Sequence, residues 1–288
     1  MDNVLDLHLD LKNKTYHHDG YHAFSISDPK PRNIHKATVR DRLLHHAAHR
    51  ILYPYFDKKF IHDSYSCRLN KGTHKSMNQF HKYFRKISRN NTRTCWVLKC
   101  DIKKFFASID HTILLEILKK HILDLDILWL LERIITSFES FSGKGLPLGS
   151  LTSQLLANVY MNEFDHYMKH ELKIQYYIRY ADDFLVLSSD KNILSQNVRY
   201  IVHFLQQKLK LSLHPDKVFI KTIASGADFL GWVHFPHHRV LRTTTKKRMF
   251  RKLSTNFFHE SLISYLGLLK HGNTHKLRHI LDDAYIHN

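Results

Sequence analysis

Two acidic positions interrupt apolar surroundings in this chain. Asp101 closes the run Trp96-Val97-Leu98-Lys99-Cys100, which reads as a buried strand that delivers a carboxylate to its C-terminal end. Asp182-Asp183 sits between two hydrophobic segments, Ile174 to Tyr180 and Phe184 to Leu187, which read as the arms of a hairpin turning at Ala181-Asp182-Asp183. Hydrophobic packing gives no reason for carboxylates at such points, and bringing Asp101 beside Asp182 sets like charges against each other unless cations intervene. Oxygen-only ligands suit Mg²⁺, and two such ions roughly 3.5–4 Å apart activate an attacking hydroxyl and stabilise the leaving oxygen in an in-line displacement at phosphorus. The chemistry suggested is nucleotidyl transfer. An isolated Asp-Asp is most often only a polar turn, so the surrounding residues decide.

Several elements must position these groups. Residues 21 to 35 read as an extended segment bent at Asp28-Pro29-Lys30-Pro31, with Lys30 and Arg32 at the tip. A helix over 36–52 has Val39, Leu43, Leu44, Ala47, Ala48, Ile51 and Leu52 at helical spacing, and a second over 73–87 has the stripe Met77, Phe80, Phe84 and Ile87 opposite a basic face. Helical patterns follow near 111–122 and 126–139, a break at Gly143 to Gly149, then a long helix over 151–171. A helix over 191–209, strands near 218–222 and 229–235, and a basic helical region from about Thr245 complete an α+β order.

The balance of charge agrees with a polyanionic partner. Among 288 residues there are 44 Lys and Arg against 26 acids, a formal charge of +18, and 43% hydrophobic residues, enough for a sizeable core. Three cysteines, Cys67, Cys95 and Cys100, without C-x-x-C spacing argue against a disulfide framework or a cysteine zinc site and for a reducing compartment. No apolar stretch approaches the ~18 residues of a membrane span and no secretory leader is visible, so the expected location is cytoplasmic. His45 and His49 stand one helical turn apart without a third ligand, and no G-x-x-x-x-G-K-[ST] phosphate loop occurs, which sets aside zinc and ATPase readings.

Four ordered motifs give a resemblance. Tyr180-Ala181-Asp182-Asp183 resembles the Y-x-D-D motif of reverse transcriptases, Asp101 to Phe106 (DIKKFF) their first aspartate motif, Gly145 to Gln154 (GLPLGSLTSQ) their template-and-nucleotide helix motif, and Phe229-Leu230-Gly231-Trp232 their primer-grip hairpin. The resemblance covers about residues 21 to 235. It implies a right-hand polymerase, with the N-terminal part of the fingers over 1–95, the palm with part of the fingers and the primer grip over 96–240, and a short basic helical thumb over 241–288.

The resemblance also implies roles. Asp101, Asp182 and Asp183, with the backbone carbonyl of Ile102, would bind two Mg²⁺ ions, for which Mn²⁺ can substitute. Lys217 would protonate the pyrophosphate leaving group. Lys30 and Arg32 would meet the triphosphate, Phe106 would be the steric gate that rejects a ribose 2′-OH, and Leu148, Gly149 and Gln154 would border the nucleotide. Arg40 and Arg42 would touch template phosphates. The implied partners are an RNA template, a DNA or RNA primer and deoxynucleoside triphosphates.

Only about fifty residues follow the primer-grip motif, which suggests a minimal polymerase without a ribonuclease H or intron-type endonuclease region. Most reverse transcriptases read Q-G-x-x-x-S-P where this chain has Leu148-Gly149-Ser150-Leu151-Thr152-Ser153-Gln154. An aliphatic residue for the first Gln and Gln for the Pro resembles the enzymes of diversity-generating retroelements. Those work with a small basic helical accessory protein and a structured RNA and copy template adenines with frequent errors. A stand-alone retron or phage-defence enzyme, or a catalytically silent RNA-binding scaffold, are the alternatives.

Overall fold

The computed structural model describes residues 2–27, 31–255 and 258–285. In chain order the elements are α1 (Asp2–Lys12), β1 (His22–Ile26), β2 (Arg32–Lys36), α2 (Val39–Asp57), α3 (Thr73–Ile87), β3 (Trp96–Asp101), α4 (Phe105–Ser108), α5 (His111–Lys119), α6 (Leu125–Thr136) and α7 (Leu151–His166), the last continued by a π-helical turn, Tyr167–Glu171. There follow β4 (Tyr177–Tyr180), β5 (Asp183–Ser188), α8 (Lys191–Leu209), β6 (Phe219–Thr222), β7 (Ala227–Phe229), β8 (Trp232–His234), β9 (Arg239–Leu241), α9 (Thr243–Thr255), α10 (His259–Leu269) and α11 (His275–Tyr285).

The central sheet is antiparallel throughout, in the order β4-β5-β3-β6. Its strands are apolar runs without polar alternation because both faces are covered. Successive side chains therefore feed two different cores. Leu98, Cys100, Phe184, Val186 and Tyr177 join a cluster with helices α5, α7 and α8, whereas Val97, Leu185, Leu187 and Ile178 join a second with α3, the β7-β8-β9 sheet and the C-terminal helices. By the same parity Asp101, Lys99 and Asp183 fall on the second face. This fixes which neighbours the carboxylates meet.

The helix over 73–87 forms as expected, with Ser76, Met77, Phe80 and Phe84 buried. In α2 the expected stripe is only half inward: Leu44, Ala48 and Leu52 are buried with Asp41 and His45, while Val39, Leu43 and Ile51 are exposed. The buried polar pair accounts for the rotation, because Asp41 accepts from Tyr16 Oη at 2.8 Å and His45 Nδ1 meets Thr152 Oγ1 at 2.6 Å. The single strand expected over 229–235 is instead a hairpin, β7 and β8, turning at Leu230-Gly231, both at positive φ. Helix α1, strand β9 and the four-residue α4 were not apparent from periodicity.

Trp232 is buried at the join between this hairpin and the C-terminal helices. A Cβ at Gly272 would stand 2.0 Å from its ring, so only glycine allows the α10–α11 connection to close over the indole. Among the described residues, no helix is long and apolar enough to cross a membrane.

Candidate active site

The register of β3 and β5 pairs Asp101 with Asp183, and β4 pairs Tyr180 with Asp183, leaving Ala181-Asp182 as the turn. Asp182 thus stands at the mouth of a hairpin whose neighbour strand ends on Asp101. The chain beyond Asp101 is stitched in place on both sides: Ile102 N donates to Asp182 O at 3.1 Å, His214 N to Asp101 O at 2.8 Å, and Lys103 N to Ser212 O at 2.9 Å.

Ala181 has φ +56°, an uncommon conformation for a residue with a Cβ. It is held by Arg179, whose Nη1 donates to Ala181 O at 3.1 Å and to Asn158 Oδ1 at 3.2 Å. The same guanidinium, fully buried, grips Asp165 of α7 through Nε at 2.7 Å and Nη2 at 2.6 Å, and Nη2 also donates to Ser64 Oγ at 3.0 Å. Tyr177 Oη donates to the same carboxylate at 2.7 Å. A bidentate pair with its remaining hydrogen-bonding capacity satisfied is the arrangement in which a buried charge is tolerated.

Two lysines attend the carboxylates. Lys217, at the end of the short turn Pro215–Lys217, reaches Asp101 Oδ1 at 2.8 Å. Lys99, nearly buried, reaches Asp183 Oδ2 at 3.1 Å and donates to Asp228 O of β7 at 3.0 Å. Asp228 in turn pairs with Arg242, which leads into the C-terminal helices. Burial, then the neighbouring Asp101 charge, raises the Asp182 pKa above the carboxylate range, and Lys217 and Arg32 partly offset this. Burial pushes Asp183 up to about 6 despite Lys99.

Asp183 Oδ1 is buried with no hydrogen-bond partner. An orphaned carboxylate oxygen, two carboxyls raised by burial and mutual repulsion, and an all-oxygen donor set together fit a hard divalent cation. Among the described residues no group of three or more His, Cys, Asp or Glu side chains is placed to hold a metal ion by itself.

The β1–β2 hairpin docks on the segment that precedes α7. His35 N donates to Leu148 O at 2.8 Å, and a Cβ at Gly149, where φ is +107°, would meet Ile34 Cγ2 at 2.8 Å. Between them lies a pocket of about 380 Å³ lined by Ile34, Arg42, His46, Gly149, Ser150 and Gln154. Arg32 is exposed on β2, with its charge felt at Asp182. Lys30 lies outside the described residues. Phe106 is half-buried on α4 while Phe105 enters the core, and Leu146 N donates to Phe106 O at 2.9 Å.

Two groups of expected site residues make contacts within the fold. Arg40 pairs with Asp10, donates to His17 O at 3.3 Å and lies over the Tyr16 ring at 5.1 Å, tying α1 to α2. Phe229 and Trp232 are core residues, and Leu230 and Gly231 form the tip of their hairpin. Arg179, Asp165 and Lys99 escaped the sequence reading. Their signal was a charged residue inside an otherwise apolar strand or helix face.

Residues 26–234 match the family model described as reverse transcriptase (RNA-dependent DNA polymerase). The chain belongs to that family. Protein YkfC of Escherichia coli is 25% identical over 269 residues, covering 80% of this chain and 68% of YkfC. The group II intron-encoded protein LtrA of Lactococcus lactis is 23% identical over 312 residues, covering 83% of this chain and 50% of LtrA. Telomerase of Candida albicans in complex with a telomeric RNA fragment superposes with TM-score 0.56 at 13% identity, over 77% of this chain and 45% of that one. That likeness is one of fold, and it is the right-hand polymerase fold. The chain spans about half the length of LtrA and less than half of telomerase.

In this reverse transcriptase, Lys99→Met leaves the Asp183 carboxyl buried without its cation. The expected cost is about 1 kcal/mol at pH 7, because a carboxyl whose folded pKa is near 6 takes up a proton once its cation is gone. Asp183 has a folded pKa near 6, above its unfolded value, so its folded form is protonated at pH 5 and no longer depends on the lysine charge. Denaturant melts of both proteins at pH 7 and pH 5 should show the difference shrinking at the lower pH.

Proposed function

We propose that this chain copies an RNA template into DNA by nucleotidyl transfer. The observation that carries the reading is the pairing of Asp101 with Asp183 across adjacent strands, with Asp182 at the turn and Lys217 Nζ 2.8 Å from Asp101. Asp101, Asp182, Asp183 and the Ile102 carbonyl would hold two Mg²⁺ ions, which when bound activate the primer 3′-hydroxyl and stabilise the leaving oxygen. Mn²⁺ presents the same preference for oxygen ligands and would substitute.

The remaining roles belong to the chain's own groups. Lys30 and Arg32 hold the triphosphate, Arg32 from a position where its charge already acts on Asp182. Lys217 keeps a proton on Nζ for the departing pyrophosphate. The half-buried Phe106 ring excludes a 2′-OH, and discrimination by a clash acts on one substrate and spares the other. Gly149, Gln154 and Arg42 line one pocket, which suits contacts with the nucleotide and the template phosphate beside it. Leu230 and Gly231 carry the primer end. The short basic thumb adds salt-sensitive affinity for the product duplex. We assign the activity to the cytoplasm of a bacterial or phage-infected cell.

We further propose that copying is error-prone at template adenines, as in a diversity-generating retroelement with an accessory protein and a structured RNA. Leu148 and Gln154 support this, because Leu148 offers only apolar contact at the position of the first glutamine in the Q-G-x-x-x-S-P motif that this segment resembles. A stand-alone retron, phage-defence or intron-type enzyme uses the same chemistry, and the similarity to YkfC and LtrA favours that second reading.

Asp182→Ala is expected to abolish primer extension while RNA binding and the thermal melt change little, because truncation at a turn opens no core cavity. Retained synthesis would overturn the assignment, and a wild-type chain that binds RNA yet extends no primer would point to a scaffold. Leu148→Gln should lower the error rate on one RNA template, each ~1.4 kcal/mol of added discrimination being worth about tenfold. Sequenced cDNA from both versions checks this, and accurate wild-type copying at adenines would favour the second reading.

A further inference from the structure

The cations that crowd the sheet's other end have no role in the active site. No Asp or Glu stands between Asp63 and Asp101, whereas nine Lys and Arg do. Four of these, Arg85, Lys86, Arg89 and Arg93, are exposed at the end of α3 and in the loop that follows. That loop delivers the chain to Trp96, the residue of β3 farthest from Asp101. Five residues of strand separate the two ends, about 17 Å at ~3.3 Å per residue.

Neighbouring strands bring more charge to the same end. Trp96 pairs with Ser188 and with Thr222. Lys191, three residues beyond Ser188, holds its Nζ 5.3 Å from the centre of the Trp96 ring. Among the described residues, none of these five cations forms an ion pair, although Asp190 stands next to Lys191.

The loop is also built to keep its shape. Arg89, Asn90 and Asn91 are consecutive residues at positive φ, of +46°, +55° and +72°. Asn90 N donates to Arg85 O at 2.9 Å, Arg93 N to Ser88 O at 2.9 Å and Asn91 N to Ser88 Oγ at 3.0 Å, while Asn91 Nδ2 meets His237 Nδ1 of the β8–β9 connection at 3.4 Å. A left-handed run held by three local bonds fixes the backbone that carries Arg89, and Arg85 Nε donates to Asn90 Oδ1 at 3.2 Å. On this loop the exposed side chains of Asn90, Asn91 and Thr92 are polar, without the aromatic or aliphatic anchor that a protein interface uses. An array of cations without ion pairs matches a partner with a regular, rigid charge repeat, and among nucleic acids a helical stem has one.

We propose that this pole of the palm is a second RNA-binding surface, which takes the phosphate backbone of a double-stranded RNA stem about 17 Å behind the catalytic carboxylates. It rests on the reading of the chain as an RNA-templated polymerase. The bound stem anchors the RNA while a separate single-stranded portion occupies the active site, so contacts at the pole raise the affinity for a structured template without changing the chemical step. Binding there carries no base specificity.

The test uses the full chain, a 20-base-pair RNA stem-loop without a recessed 3′ end, and a separate short primer–template. Arg85→Gln, Arg89→Gln and Arg93→Gln combined should weaken stem-loop binding at least tenfold at moderate salt. The slope of log affinity against log salt should fall by about 2 to 3, close to one per phosphate contact removed. Extension of the short primer–template at saturation should be unchanged. Lys191→Gln, which leaves the loop intact, should act in the same direction if the triple variant folds poorly. Unaltered stem-loop affinity and slope in both variants would overturn the proposal, as would an equal loss on single-stranded RNA of the same length. Wild-type protein that extends no primer would instead defeat the polymerase reading, whatever its affinity for the stem.

Discussion

The buried pair of Arg179 and Asp165 is the constraint on which the catalytic end of the molecule depends. One guanidinium ties the last residues of β4 to α7, to Ser64 in the α2–α3 connection and to the carbonyl of Ala181. It therefore joins that connection, α7 and the turn that carries Asp182. Ala181 adopts its left-handed conformation against its own preference, and a fixed donor at its carbonyl opposes relaxation. An apolar residue at 179 would pack, but it would leave the turn unanchored.

A second constraint is electrostatic. Three carboxylates stand at the ends of adjacent strands with burial raising two of them, and the chain meets this with Lys217 on Asp101 and Lys99 on Asp183. The compensation is partial, as the unpartnered Oδ1 of Asp183 shows. Complete internal neutralisation would satisfy the fold and remove the pull on a divalent ion. Lys99 also bonds the Asp228 carbonyl, so Asp183 and the β7–β8 hairpin share one side chain.

Much of this was legible from residue types and periodicity. Strand β3 ends on Asp101 and α8 spans 191–209 as the pattern indicates, because buried strands and amphipathic helices announce themselves locally. The motif residues Asp101, Asp182 and Lys217 do converge. What the pattern hid are interactions between distant residues. Arg40 resembles any exposed arginine until α1 folds against it, and Phe229 and Trp232 belong to a motif yet point inward because their strands close the second core. Arg179 and Lys99 read as blemishes in apolar runs, since nothing local shows that Asp165 and Asp228 wait across the fold.

The most direct test of the account separates the stability of the buried pair from its positioning of the turn. Replacing both partners with apolar residues, Arg179→Met with Asp165→Leu, removes both buried charges together, an exchange that often costs little stability or even adds some. The measurement is the rate of primer extension by this double variant at a temperature where its melt shows it fully folded. The account predicts a folded protein with Mg²⁺-dependent synthesis reduced at least tenfold, because the Ala181 carbonyl has lost its donor. Synthesis at the wild-type rate by the folded double variant would contradict it.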